Sequence, residues 1–298
     1  MAKIIKDKSI PLMEFMGLGS LSLHIPKYQR SYSWKEKQVK DLMTDMFLSL
    51  DTNTPKWYIG NFYTYKKNNK KYILDGQQRL TSFFIIFKEL QLYHRSKTEV
   101  ATNREQARRF REEADQLKGY ILYLDICRLN LDKGNREAFS RYIKADNIED
   151  ATMVKDMESQ KLLNNAIVEV RSQLHDEIGT ELSKFRKIVR FLIGENSIEL
   201  IEIELENRSL FNRIFEGIND RGLSLSDADK FKNYYMMFLQ DEQDIESFER
   251  IWFDIQENIY SSGAKKFDSI FSYIPLSEGW DTSDYYNELR EKIKDNDF

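Results

Sequence analysis

Asp75, Gly76, Gln77, Gln78 and Arg79 stand together in KYILDGQQRLTSFF, residues 71–84, where a β-type run gives way to a helical apolar pattern. The first turn of a helix carries backbone N–H groups with no intrahelical partner, and with the helix dipole they attract anions, phosphates above all. Gly76 lets a ligand approach the backbone closely. Gln77 and Gln78 can both donate and accept hydrogen bonds, to a base, a ribose or a water. Arg79 offers a planar fork that fits phosphate oxygens. Asp75 can hold a Mg²⁺ ion or orient water. These are the parts of a nucleotide site. They are also the parts of a simple connector, with Asp75 as cap, Gly76 as turn and solvated amides. The Gly-Lys-Ser/Thr ending of a P-loop is absent.

Two further stretches repeat the chemistry. IPKYQRSYSW, residues 25–34, puts Gln29 and Arg30 after a strand pattern, among Tyr28, Tyr32 and Trp34. Such aromatics stack on a base, pack beneath an arginine, or line a core edge. LFNRIFEGINDRGLSLSDADKFKNYY, residues 210–235, has a helical face, then Asn219, Asp220, Arg221 and Gly222 as a turn, then Ser226 and Asp229 as a capping box.

The elements that must position these residues are legible in part. KSIPLMEFMGLG reads as a short helix and SLSLHIP as a half-buried strand stopped by Pro26. Residues 35–50 carry a helical face. KWYIGNFYTYKKNNKKYIL reads as a hairpin turning at Asn68-Asn69, with Lys66, Lys67, Lys70 and Lys71 keeping its tip wet or contacting DNA. From Gln77 to His94 the apolar positions predict a helix buried nearly all round. NREQARRFREEADQLKG has an Asn start and a Gly stop, and YILYLDICRL is ambiguous. Residues 135–145, 153–176 and 180–193 read as helices, SIELIEIEL as a strand, and 207–218 and 226–239 as helices. The expected class is α+β. A small strand-containing unit (1–100) is followed by a mainly helical body (101–298), with the strand near 197–205 a candidate to return to the first sheet.

Composition narrows the function classes. The chain has 298 residues, 41% of them hydrophobic, with few prolines and glycines, which favours long helices. A net charge of −4 argues against nonspecific coating of nucleic acid and leaves room for a local basic patch. One cysteine, Cys127, permits no internal disulfide and reads as a buried hydrophobe. No apolar run reaches a membrane span, and the first residues lack a secretory core, so a cytoplasmic location without membrane contact is expected. His24, His94 and His175 show no metal-ligand spacing.

IPKYQRSYSW, DGQQRLTSF and FEGINDRGLSLSDADKFK, in this order, resemble the DUF262 family, the ParB/sulfiredoxin-like N-terminal modules of GmrSD-type, modification-dependent restriction systems. The resemblance spans roughly residues 8–240. It implies a ParB/sulfiredoxin-like mixed sheet with a helical extension. It also implies binding and hydrolysis of a nucleoside triphosphate, GTP or another, with Mg²⁺, under which a nuclease acts on modified phage DNA. Carried over, it places Asp75, Gly76, Gln77, Gln78 and Arg79, then Tyr28, Gln29 and Arg30, then Asn219, Arg221 and Gly222. On this reading Asp75, Gln78 and Arg79 are catalytic, with Asp75 on the metal. Tyr28, Gln29, Arg30, Gly76, Gln77, Asn219 and Arg221 bind nucleotide. Many relatives end in an HNH nuclease, which needs histidines, and no histidine follows residue 175 here. The nuclease is therefore expected outside this chain. The alternative is a non-hydrolytic module that senses modified DNA, with a third reading as a scaffold for the nuclease.

Overall fold

The computed structural model describes residues 4–17, 22–26, 29–52, 56–151, 157–194, 197–206, 228, 231–232, 235–236, 239 and 242–261. Close contacts divide the chain into Ile4–Leu205 and a second unit, Glu206–Phe298 with Met1–Lys3. The class is α+β. In the larger unit, strands β1 (Ile4–Pro11), β2 (Ser22–His24), β3 (Trp57–Lys67), β4 (Lys70–Asp75), β7 (Leu129–Asn130) and β8 (Ile198–Leu205) form one mixed sheet, ordered β1-β8-β3-β4-β2-β7. The small strands β5 (Leu122–Tyr123) and β6 (Ile126–Cys127) pair separately. The helices are α1 (Leu12–Met16), α2 (Glu36–Asp51), α3 (Gln77–Ser96), α4 (Arg104–Ile121), α5 (Lys133–Lys144), α6 (Glu158–Ile178) and α7 (Leu182–Ile193).

The β3–β4 hairpin forms for a local reason. Asn68 and Asn69 take φ values of +50° and +58°, the left-handed pair that a tight hairpin turn requires. Tyr65 and Tyr72 stack across it at 4.7 Å. Lys66 and Lys71 are opposed across the two strands, and only one of them stays wet. Lys71 is buried, its Nζ 2.9 Å from the equally buried Glu202 and over the Phe15 ring. Lys66 pairs with Glu204 at 2.8 Å. These two lysines are thus held by β8 and do not form a free basic tip.

β8 lies between β1 (antiparallel) and β3 (parallel). Its alternation turns Ile198, Leu200, Glu202 and Glu204 to the buried face. Burial of Glu202 is offset by the Lys71 ammonium and the Thr64 hydroxyl, which donates at 3.1 Å. The first segment departs from expectation. Residues 4–11 are an edge strand paired to β8, and the helix that follows is only Leu12–Met16. Pro11, which lacks an N–H, ends that strand at the sheet edge, where the loss is tolerated.

α3 is buried on nearly every side and packs on α4 and α6. The helical segment beyond residue 100 shares this core. Leu117, Phe139, Leu163 and Phe185 belong to the same buried cluster as Ile10, Phe62 and Phe83, so no division falls near residue 100. Asn103 caps α4 by accepting from the Gln106 N–H at 2.9 Å, and the helix runs through Gly119 to Ile121. In the second unit, α8 (Glu242–Ser261) carries Trp252, which packs with Ala228, Phe231, Phe248 and Ile259. The helices expected at 207–218 and 226–239 lie largely outside the described residues. No described helix is long and apolar enough to cross a membrane.

Candidate functional site

β2, β4 and β7 run parallel, so their carboxyl ends share one edge of the sheet. That is where open sheets of this kind place ligands. Three segments leave this edge: Asp75-Gly76 into α3, the loop 29–35 into α2, and Asp132 into α5. Gly76 has φ +90°, a region that side chains resist, and a Cβ there would overlap the Phe62 ring. The turn is therefore closed to any residue but glycine. The Gly76 N–H donates to the Asp75 carboxylate. The first N–H of the helical ladder is that of Leu80, donated to Gly76 O at 3.0 Å. The N–H groups of Gln77, Gln78 and Arg79 precede it and point out of the helix start.

Each glutamine is engaged. Gln77 Nε2 donates to Arg30 O at 3.2 Å, and Gln78 Nε2 donates to Ser31 O at 3.3 Å. Gln78 Oε1 accepts from the Ser33 N–H at 2.9 Å, and Gln29 Nε2 donates to Leu74 O at 2.9 Å. The two motifs read separately in the sequence are thus one clasp. The amides of DGQQR hold the backbone of the YQR loop, and Gln29 returns to the end of β4.

Arg79 is also engaged. β3 shifts register between Tyr58 and Asn61, and Gly60 within that bulge has φ +99°. The guanidinium donates to Ile59 O and to Asn61 O (3.0 Å for the latter) and lies over the Phe62 ring at 4.9 Å. Its charge acts on Asp75, as does that of Arg30. Burial pushes the Asp75 carboxyl above the usual carboxylate range, with the Gly76 N–H and the two arginines pulling the other way. Arg30 is half-buried, and among the described residues its side chain has no hydrogen bond or ion pair.

The aromatic neighbours divide. Tyr32 is buried, its hydroxyl 3.0 Å from Ser82 Oγ, and Trp34 packs against the core, so Tyr32 is a packing residue and not a surface for stacking a base. Tyr28, Asn219, Arg221 and Gly222 lie outside the described residues. Sequence reasoning missed Asp132 and Asn135. Asp132 is buried at the exit of β7 and accepts from Asn135 Nδ2 at 2.8 and 3.0 Å, from the Ser31 hydroxyl and from two backbone N–H groups. Ser159 donates to Asn135 Oδ1 at 3.1 Å. Burial raises the Asp132 carboxyl. The signal for it was an Asp-x-Gly-Asn run directly after a strand.

Of the histidines, His24 is half-buried and its imidazole is pushed down to about 4 by burial and by Lys70 and Arg136. His94 is fully buried, stacked on Phe185 at 4.2 Å and 2.6 Å from Glu113. Neither joins the site. Cys127 is buried, its thiol pushed up to about 12. Among the described residues no group of three or more His, Cys, Asp or Glu could hold a metal by itself.

The mixed sheet thus carries a clasped DGQQR turn at its parallel carboxyl edge. The family model described as GmrSD restriction endonuclease, N-terminal domain, matches residues 12–236, and the chain belongs to that family. No curated protein matches the chain.

Proposed function

We propose that the chain is the nucleotide-binding and NTP-hydrolysing regulatory module of a modification-dependent, anti-phage restriction system, working in the cytoplasm with an HNH nuclease supplied outside this chain. Membership of the family supports the restriction role. The observation that carries the nucleotide reading is Arg30, a half-buried cation whose side chain makes no hydrogen bond or ion pair among the described residues and whose charge acts on Asp75 at the start of α3. Arg30 and the N–H groups of Gln77, Gln78 and Arg79 take phosphate oxygens. Asp75 holds Mg²⁺ or orients water. A single carboxylate fits Mg²⁺, which commonly takes one or two and fills its remaining positions with phosphate and water.

Gln77 and Gln78 then serve first as positioning residues for the Arg30 loop, and Arg79 braces the β3 bulge while adding its charge. Nucleotide arriving at Arg30 is coupled through the clasp to α3, a route by which phosphate loss could reach a partner. The alternative, a non-hydrolytic sensor of modified DNA, calls for a local basic groove and for stacking at Tyr28, Tyr32 and Trp34, of which Tyr32 is buried, Trp34 packs against the core and Tyr28 lies outside the described residues.

The test is phosphate release from GTP, ATP, CTP and UTP with Mg²⁺. Arg30→Ala and Asp75→Asn, each checked for folding by circular dichroism, are expected to lower turnover by at least about 100-fold, the scale of one lost transition-state contact. Full turnover in both folded variants, or no turnover and no nucleotide-induced thermal shift in the wild type, overturns the reading.

A further inference from the structure

A second surface lies at the β7 edge of the sheet. A cavity of about 590 Å³ is lined by Cys127, Asn130, Arg136, Ser140, Arg141 and Lys144 among others. On α5 the residues Arg136, Ser140, Arg141 and Lys144 fall on one face, while Ala138, Phe139, Tyr142 and Ile143 are buried on the other. Glu137 is the single carboxylate lining the cavity against these three cations. All three are exposed. The side chains of Arg136 and Arg141 make no ion pair or hydrogen bond among the described residues, and that of Lys144 has only Asp125 at 3.7 Å. In a chain of net charge −4 this is a local reversal of sign.

The β5–β6 hairpin stands at the same place, since Ile126 and Cys127 also line the cavity. Its tip exposes three apolar side chains, Tyr123 at 50%, Leu124 at 80% and Ile126 at 63%, beside the Asp125 carboxylate that faces Lys144. Leu124 and Asp125 hold φ of +47° and +59°. A tight hairpin turn of that kind favours Asn-Gly, and a bulky residue is rarely found there. A leucine kept in a disfavoured conformation and pointed at solvent does nothing for the fold.

We infer that this face grips duplex DNA through its phosphate backbone, with Arg136, Arg141 and Lys144 on phosphates and Leu124 as an apolar wedge in the adjoining groove. From residue 136 to 144 α5 rises about 12 Å, the length of three to four base-pair steps at about 3.4 Å each. Apolar side chains flanked by arginines are how architectural proteins hold bent duplexes. The grip is independent of sequence and of modification, and it does not depend on the nucleotide reading.

The experiment is anisotropy of a short labelled duplex of random sequence titrated with the full chain, without nucleotide, between about 50 and about 200 mM salt. Three phosphate contacts give a slope of log K on log salt near −2.7, or about a 40-fold loss over that range. The double variant Arg136→Ala/Arg141→Ala is expected to lower the slope to about −0.9 and the loss to about 3.5-fold. Leu124→Ser is expected to weaken binding at every salt concentration without changing the slope. Both variants alter exposed side chains, and unchanged far-UV dichroism controls for folding. No wild-type binding at about 50 mM salt, an unchanged slope in the double variant, or loss of binding to phosphatidylserine vesicles with DNA binding intact overturns the inference.

Discussion

The Gly60–Arg79 contact yields a stability prediction with an internal check. Arg79→Ala removes two hydrogen bonds from a cation to Ile59 O and Asn61 O, and a ring contact with Phe62. Bonds to charged groups contribute about 1.5–3 kcal/mol each and an exposed cation–ring contact about 0.5–1. Because Arg79 is only half-buried, the loss is discounted to about 2–4 kcal/mol in all. Gly60→Ala adds a methyl that would fall on Arg79 Nη1 at a φ of +99°. It evicts the guanidinium and adds about 1–2 kcal/mol of backbone strain, so it costs about 3–6 kcal/mol. The double variant has the strain and the missing guanidinium but nothing left to evict. It should be more stable than the sum of the two single losses by about 2–4 kcal/mol. Urea unfolding followed by far-UV dichroism on the four proteins measures this directly. Single losses that add to within about 0.5 kcal/mol would refute the cradle.

Other consequences follow from the same geometry. Gly76→Ala meets the Phe62 ring at a φ of +90°, and strain plus overpacking should cost about 2–5 kcal/mol, visible as a lower Tm. Burial raises the Asp75 carboxyl, so the folded state holds its proton more tightly and stability falls as pH rises from the ordinary carboxylate range through the raised value. Asp75→Asn should remove that dependence and be more stable than wild type at pH near 7, judged from urea midpoints, while losing hydrolysis. Burial lowers the His94 imidazole despite Glu113, so its contribution is present above the ordinary value of about 6.5 and is lost as pH falls toward the depressed one. His94→Gln should flatten the fall of the urea midpoint between pH near 7 and pH near 5. Arg171→Ala leaves Glu89, a carboxylate 2% exposed, with the Tyr142 hydroxyl at 2.8 Å but no ion pair among the described residues, and should cost about 3 kcal/mol by the same unfolding measurement.

Local interactions were legible in the sequence and distant ones were not. The β3–β4 hairpin, α3 and the Asn103 cap are set by neighbours within a few residues, and the pattern reveals them. The end of β1, from Lys8, was read as part of a helix because its pairing partner, β8, lies about 190 residues away in register, Ser9 opposite Ile201. β5, β6 and β7 are two-residue strands, too short to carry a period. At the site, the residue types in DGQQR announced hydrogen bonding but not its direction. Gln77 and Gln78 spend their amides on carbonyls 47 positions back in the chain, a separation no spacing rule detects. Lys71 looked like a wet hairpin lysine because its partner, Glu202, is supplied by β8.

The position of β8 has a consequence for how the protein is made. It occupies the slot between β1 and β3, yet it is synthesised well over a hundred residues after β3 is complete. At about 5–20 residues per second the ribosome leaves that slot open for roughly 7–28 s, with Glu202 and Glu204 not yet available to Lys71 and Lys66. During this interval the nascent chain presents two bare strand edges to its surroundings, and contacts this distant close slowly. A chaperone that shields those edges until residue 205 clears the exit tunnel should therefore raise the yield of folded protein, whereas faster translation through residues 68–197 should shorten the exposure without any change in the finished structure.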